Sequence, residues 1–276
     1  MSDWSWLWAV MFYSMATVLL GWGHLFHRGT LLPYAHLAWW LALAGWLAQL
    51  IRMVRLVMEQ GGQVAVNLVA SLELATLVMG LLFLMGWRPS NQSNRLIANV
   101  LLLLMVVFLL VAQIIPGGEG GFRQLVDPWL KIHFVFSLLA YGLFTIAVVL
   151  ALLDGVQQRA LRMKKHSGRF TDALPSLEQL EEELFAIIRL AFIALTLSIM
   201  TGAVFLHSHS GAYLVLSHKI VFSWVTWLVF AILLLGHRLQ GWRGRKAVRL
   251  TLWGYGFLVL AYLGVKFVYE FVLHRT

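Results

Sequence analysis

The chain has 276 residues, of which 61% are hydrophobic and 12% are charged, with a formal net charge of +9 and no cysteine. A soluble domain carries roughly 25% charged residues, so this composition excludes an ordinary soluble enzyme or binding domain. The basic residues lie in short loops and form no separate basic domain, which excludes nucleic acid as a partner. The lack of cysteine excludes disulfides and thiol chemistry by this chain.

The apolar residues form blocks about 20 residues long, the length that a helix needs to cross the hydrocarbon core of a bilayer. Each block is predicted to be helical, because an unpaired peptide group in lipid is strongly unfavourable. The first block lacks a basic leader and a small-residue cleavage pattern, so we expect a retained span. The sequence therefore predicts an all-α polytopic membrane protein, a single transmembrane domain over residues 1–276, with eight spans at 5–25, 34–54, 64–86, 96–115, 131–153, 184–206, 217–236 and 251–273.

The distribution of lysine and arginine predicts the orientation of these spans. Thirteen basic residues fall on the side of the odd-numbered loops and six on the other side. Basic loops stay in the cytoplasm, so both termini are expected on the extracytoplasmic side. Residues 154–183 are then a cytoplasmic loop with a short surface helix, because Ser176 and Gln179 fit a capping box. That helix is either a solvated helix start or a docking surface for a cytoplasmic partner.

Histidines at the predicted outer face are the best candidates for chemistry. His133 opens the fifth span, and Ser137 and Tyr141 follow it at helical spacing on one face. His218 begins the seventh span and His274 ends the eighth, so three helices bring a histidine to one membrane face. Paired imidazoles can ligate haem iron or a divalent metal. The structural alternative for each is an interfacial histidine that is hydrogen-bonded to a loop.

Two further features allow other interpretations. His207 and His209, in the loop after the sixth span, could bind a metal ion, or could be a chance pair of loop histidines. Glu73 lies inside the third span, where a carboxylate must be paired or protonated, and Asn67 and Ser71 are its local candidate partners. The sequence contains no nucleotide-binding loop and no pattern of nucleophile and base, so no enzyme is predicted.

Several short motifs in the second half are shared with a known family: His133 with Ser-Leu-Leu-Ala-Tyr-Gly at 137–142, Leu-Pro-Ser-Leu-Glu at 174–178, His218-Lys219, Trp227, Gly-Trp-Arg-Gly-Arg at 241–245, and Gly264. With these motifs, residues 60–273 resemble the cytochrome c assembly superfamily, which includes CcsA, CcmC, HemX-like and YpjD-like proteins. The resemblance is strongest to the YpjD-like inner-membrane branch.

The resemblance implies a protein of the bacterial inner membrane that handles haem b and presents it at the extracytoplasmic face. It implies His133 and His274 as iron ligands, with His218 as a possible substitute in this branch, and an apocytochrome or other inner-membrane proteins as partners. The family's tryptophan-rich outer loop is absent at 207–213. The positions of a second, internal histidine pair hold Gly62 and Leu235, so an internal haem site is not implied.

Two other functions remain open from the residues. One is an accessory or scaffold protein that stabilises a membrane complex and does not bind haem. The other is a metal or ion permeation protein that uses Glu73 and the outer histidines.

Overall fold

The computed structural model describes residues 5–26, 32–61, 64–65, 68–87, 95–114, 122–123, 127–163, 175–211 and 218–261. Within these ranges the chain forms eight helices: α1 (Trp6–Phe26), α2 (Leu32–Glu59), α3 (Leu68–Gly86), α4 (Arg95–Ile114), α5 (Pro128–Arg162), α6 (Leu177–Ser210), α7 (His218–Gln240) and α8 (Arg245–Val259). Two short strands, β1 (Val64–Ala65) and β2 (Phe122–Arg123), complete the described elements.

Six of these helices are long and apolar enough to cross a membrane, namely α2 to α7, and the described part of α1 is a shorter apolar helix. The predicted all-α, polytopic membrane architecture is therefore confirmed. The end of the predicted eighth span, 262–273, lies outside the described residues. The predicted placement of the termini on the extracytoplasmic side stays a prediction.

The helix boundaries differ from the predicted spans at several places; α2, for example, continues to Glu59, and α8 begins at Arg245. Residues 154–162 of the predicted loop continue α5, and α6 begins at Leu177, directly after the predicted cap residue Ser176; the middle of that loop, 164–174, lies outside the described residues. The third helix begins at Leu68 and not at residue 64, because Val64 and Ala65 pair antiparallel with Arg123 and Phe122. A two-residue strand is too short to show the alternating pattern that identifies strands in a sequence.

The chain forms two compact units, which are described separately. The first comprises residues 1–124 with 157–176, and the second comprises residues 125–156 with 177–276. In the first unit, α1 packs on α2 and α4, and α3 packs on the same two helices. Close approach is possible because the facing positions are small; the ring of Tyr13 would lie 3.1 Å from a β-carbon added at Gly45. The result is a four-helix bundle.

In the second unit, α5 contacts each of the other three helices. Phe144 of α5 stacks on Phe230 of α7 with ring centroids 4.1 Å apart. The hydroxyl groups of Thr145 on α5 and Tyr255 on α8 are 2.9 Å apart. The contact between α5 and α6 is made by His133 and is described with the candidate site. The apolar side chains on the outer faces of these helices, such as Trp253, are exposed, as expected for a surface that meets lipid.

The Gly-Trp-Arg-Gly-Arg motif forms the turn between α7 and α8. Gly241 and Gly244 have φ angles of 64° and 58°, the left-handed region that favours glycine. Trp242 packs against Gly236, where no β-carbon could fit beside its ring. The carboxylate of Glu181 accepts a 2.9 Å hydrogen bond from the backbone N–H of Gly244. The motif therefore fastens α6, α7 and α8 together and is explained by the fold.

Candidate functional site

The position of His133 is set by the way α5 begins. Asp127 precedes the helix, and its Oδ1 atom accepts hydrogen bonds from the backbone N–H groups of Trp129 and Leu130 at 2.7 and 3.1 Å. Pro128, the first helical residue, has no N–H group to leave unpaired. An aspartate cap followed by proline is a strong helix start. It fixes the first turn and places His133 in the second.

The imidazole of His133 is held by the backbone of α6. Its Nδ1 atom lies 2.8 Å from the carbonyl oxygen of Ser198. A carbonyl oxygen only accepts hydrogen bonds, so Nδ1 must carry the hydrogen of the neutral ring. The lone pair of the neutral imidazole is consequently on Nε2. This is the arrangement by which proteins orient a histidine that ligates a metal.

Two serine hydroxyl groups complete the surroundings of the ring. Ser137 Oγ lies 2.7 Å from the carbonyl oxygen of His133 and 2.7 Å from Ser198 Oγ, but 3.5 Å from His133 Nε2. Each hydroxyl group has one hydrogen to donate. Judged by the two short distances, Ser137 donates its hydrogen to the carbonyl oxygen of His133, and Ser198 donates its hydrogen to Ser137 Oγ. The lone pair on Nε2 then receives no strong hydrogen bond from either serine.

Gly202 makes room for this ring. A β-carbon added at Gly202 would lie 2.9 Å from His133 Nδ1 and 3.0 Å from His133 Cε1, closer than a real β-carbon approaches its neighbours. Ser198 and Gly202 are one turn apart on α6, so together they form the surface against which the imidazole lies. The sequence reasoning missed both residues. Two small residues separated by three others, in a span, are the signal that points to a close helix contact.

The other predicted iron ligands lie where the structure gives no side-chain geometry. His218 is the first residue of α7, but its side chain is not among those described. His274 lies outside the described residues. The roles of His218 and His274 as ligands therefore stay predictions.

The predicted metal ligands His207 and His209 lie in the last turn of α6 and not in a loop. Residues two apart on a helix point to nearly opposite sides, which does not favour their sharing one ion. His209 Nδ1 lies 3.1 Å from the carbonyl oxygen of Phe205, and its Nε2 lies 3.9 Å from Asp127 Oδ2. Among the described side chains, no three histidine or acidic groups are placed to hold a metal ion. The metal site stays a prediction without geometric support.

Glu73, in the first unit, is paired with groups from other helices. Its Oε2 atom lies 2.7 Å from Arg52 Nη1, and both side chains are largely buried. Its Oε1 atom accepts a 3.3 Å hydrogen bond from Gln113 Nε2. Asn67, one of the two expected partners, lies outside the described residues. Sequence reasoning missed Arg52 and Gln113 because both lie on helices other than α3.

A chain of amide and hydroxyl groups extends this pair across the bundle. Gln49 Nε2 donates to the carbonyl oxygen of Glu73 at 2.8 Å and to Thr76 Oγ1 at 2.6 Å. The hydroxyl group of Tyr13 donates to Gln49 Oε1 at 3.4 Å. All four helices of the first unit contribute to this set, which comprises Tyr13, Gln49, Arg52, Glu73, Thr76 and Gln113. We name it the Glu73 network. The pairing with Arg52 neutralises the carboxylate that an ion-permeation role would need.

Comparisons with known proteins show which proteins this chain is similar to. The family model described as cytochrome C assembly protein matches residues 65–273. The chain is 35% identical over 162 residues to an uncharacterized 28.8 kDa protein of Azospirillum brasilense, covering 59% of this chain and 57% of that protein. It is 28% identical over 183 residues to the inner membrane protein YpjD of Escherichia coli, covering 66% and 68%.

A third relative is the cytochrome c biogenesis protein CcsA of Chlamydomonas reinhardtii, 30% identical over 146 residues. That match covers 53% of this chain and 40% of CcsA. The chain thus spans less than two thirds of the Azospirillum protein and of CcsA.

Proposed function

The chain belongs to the cytochrome C assembly protein family, and from this premise we propose that it binds haem b through His133 at its extracytoplasmic face and presents it to a partner. The protein resides in the inner membrane, as its YpjD relatives do. The proposed partner is an apocytochrome or another inner-membrane protein. We propose no catalytic step for the chain.

One observation carries this proposal: the Nδ1 atom of His133 lies 2.8 Å from the carbonyl oxygen of Ser198, so the ring donates through Nδ1 and its Nε2 atom is the one available to a ligand. Haem, when bound, would supply an iron atom that accepts histidine nitrogen donors. The donor at His133 fits that need, because the 2.8 Å bond to the Ser198 carbonyl orients the ring and raises the basicity of Nε2. His218 and His274 are the proposed candidates for a second ligand.

The chain's own residues prepare the ligand before any haem arrives. Gly202 allows the imidazole to lie against α6, and the Ser137 hydroxyl group bonds to the backbone of its own helix and to Ser198. A ring fixed by packing against Gly202 and by its hydrogen bond to the Ser198 carbonyl loses little freedom when it binds a metal. The site is therefore suited to holding haem and not to a reaction that needs a mobile base.

The test is an absorbance spectrum of the full chain, purified gently in mild detergent. We expect a Soret band that is lost in His133→Ala and kept in His36→Ala, which changes an exposed histidine on α2. Thermal unfolding and gel filtration show whether both variants remain folded. Wild-type protein without haem, or a His133→Ala variant with full haem content, would favour the accessory or scaffold function instead.

A further inference from the structure

The first turn of α4, at the opposite end of the first unit from the Glu73 network, is buried on all sides. The exposed fractions are 3% for Arg95, 6% for Leu96, 6% for Ile97 and 2% for Ala98. The first four N–H groups of any helix have no carbonyl partner within that helix. Together with the aligned peptide dipoles they give this end a positive partial charge. The first turn of α4 is therefore a buried source of hydrogen-bond donors.

Arg95 adds a full positive charge at the same place. Its Nε and Nη2 atoms are buried and have no hydrogen-bond partner in the described part of the chain. Arg95 is the first residue of α4 and side chains on a helix lean toward its N-terminus, so its guanidinium group belongs to the end where the N–H groups have no partner within the helix. A buried guanidinium group without a counter-charge is strongly unfavourable. A bound anion would compensate this charge and stabilise the arrangement.

A third donor lies at the same end of the unit. Glu73, near the start of α3, bonds to Gln113 near the end of α4, so these helices are antiparallel and the end of α3 lies beside the start of α4. Trp87, directly after α3, is 6% exposed, and its Nε1 atom has no partner among the described residues. Asn99 Oδ1, one turn into α4, is a buried acceptor that also has no partner, suited to a hydroxyl group on the ligand.

We propose that the buried start of α4 binds a phosphate group, held mainly by the guanidinium group of Arg95. A phosphate offers several acceptor oxygens and a negative charge, and the fork of an arginine matches it with two parallel hydrogen bonds. Trp87 Nε1 and the N–H groups of the first turn supply the remaining donors. The phosphate belongs either to a phospholipid headgroup or to a soluble phosphate, and both have the same recognition chemistry. This site is independent of His133 and of haem.

The test measures thermal unfolding of the full chain in detergent with inorganic phosphate, with phosphatidylglycerol in mixed micelles, or with an uncharged galactolipid that lacks phosphate. We expect a rise in Tm of roughly 5 °C with a phosphate-bearing probe and none with the galactolipid. A rise in Tm with inorganic phosphate shows that a soluble phosphate is sufficient as the ligand. A rise with phosphatidylglycerol but not with inorganic phosphate identifies a phospholipid headgroup as the ligand.

Three variants separate binding from a merely structural role. Arg95→Gln removes the charge and should abolish the response to the probe, while its Tm without probe equals or exceeds that of wild type, because an uncompensated buried charge is gone. Arg95→Lys keeps the charge but loses the two parallel hydrogen bonds of the guanidinium group, and it should bind the phosphate-bearing probe about tenfold more weakly. Arg159→Gln, an exposed arginine at the end of α5, should respond as wild type does. The proposal is overturned if no phosphate-bearing probe raises the Tm of wild type, or if Arg95→Gln responds fully.

Discussion

The Glu73 network and the surroundings of His133 are polar centres between helices, and they differ in how many of their polar atoms are paired within the protein. In the Glu73 network, a carboxylate meets a guanidinium group at 2.7 Å, and amide and hydroxyl groups bond to the atoms around them. Around His133 the serine hydroxyl groups and Ser198 carbonyl are paired, but the imidazole keeps one lone pair. In the first centre the two opposite charges are paired with each other. In the second centre, the ring is held through one nitrogen and its other nitrogen is left for a ligand.

This difference distinguishes a centre that holds helices together from a centre that binds a ligand, a distinction that burial alone does not make. Both centres lie between helices, and both contain residues that are expensive to place in a membrane. A network that satisfies its own charges holds helices together. A network that fixes a donor atom in place and leaves it free is suited to binding.

The largest expected loss of stability, which tests the Glu73 side of this comparison, comes from breaking the ion pair between Glu73 and Arg52. Glu73→Ala leaves the buried Arg52 without its counter-charge, which typically costs about 3–5 kcal/mol. We expect thermal unfolding in detergent to show this loss. The haem content of the protein that remains folded should equal that of wild type, because the network lies in the other unit.

A double variant is the control for that experiment. Arg52→Leu with Glu73→Leu removes both charges and should be more stable than Glu73→Ala, because no buried charge is left unpaired. Double-variant stability equal to or below that of Glu73→Ala would contradict the ion-pair explanation. A loss of haem per folded molecule in Glu73→Ala would contradict the division between scaffold and site.

A smaller effect on stability, but a larger one on binding, is expected at Gly202. Gly202→Ala places a methyl group about where it would touch the His133 ring, since the added β-carbon lies 2.9 Å from Nδ1. Overpacking of this kind costs about 1–3 kcal/mol, and a displaced ligand typically loses about 10–100-fold in affinity. Haem titration monitored at the Soret band measures the second effect.

Gly256→Ala is the matched control, because Gly256 is also a helical glycine of the second unit and a β-carbon there would meet nothing within 4 Å. It should bind haem as wild type does and be as stable or slightly more stable. If the two glycine variants bind haem equally well, packing against Gly202 does not position the ligand.

The helices and the starting point of α6 at Ser176 were predicted from the sequence because their causes are local, and the earlier start of α5, at Pro128 and not at 131, has an equally local cause. Long apolar blocks specify helices in a membrane whatever surrounds them. Asp127 with Pro128, and Ser176, act on the residues that directly follow them. His133 was also identifiable, because polar residues recur behind it at helical spacing.

The partners of these residues were not predictable because they come from other helices. Ser198 and Gly202 lie more than 60 residues after His133, and Arg52 reaches Glu73 from the preceding helix. Spacing within one helix indicates the face of a residue but not what meets that face. The pairing of Val64 with Arg123 was missed for the same reason.

The central claim is that the Nε2 atom of His133 binds the haem iron, and imidazole rescue tests it most directly. In His133→Gly the ring is absent and its space is open, and the backbone of α5 loses about 1 kcal/mol of stability. We predict that this variant, purified without imidazole, shows no Soret band, and that added imidazole and haem together restore one. A folded His133→Gly protein that binds haem without imidazole, or that fails to bind it with imidazole, would contradict the claim.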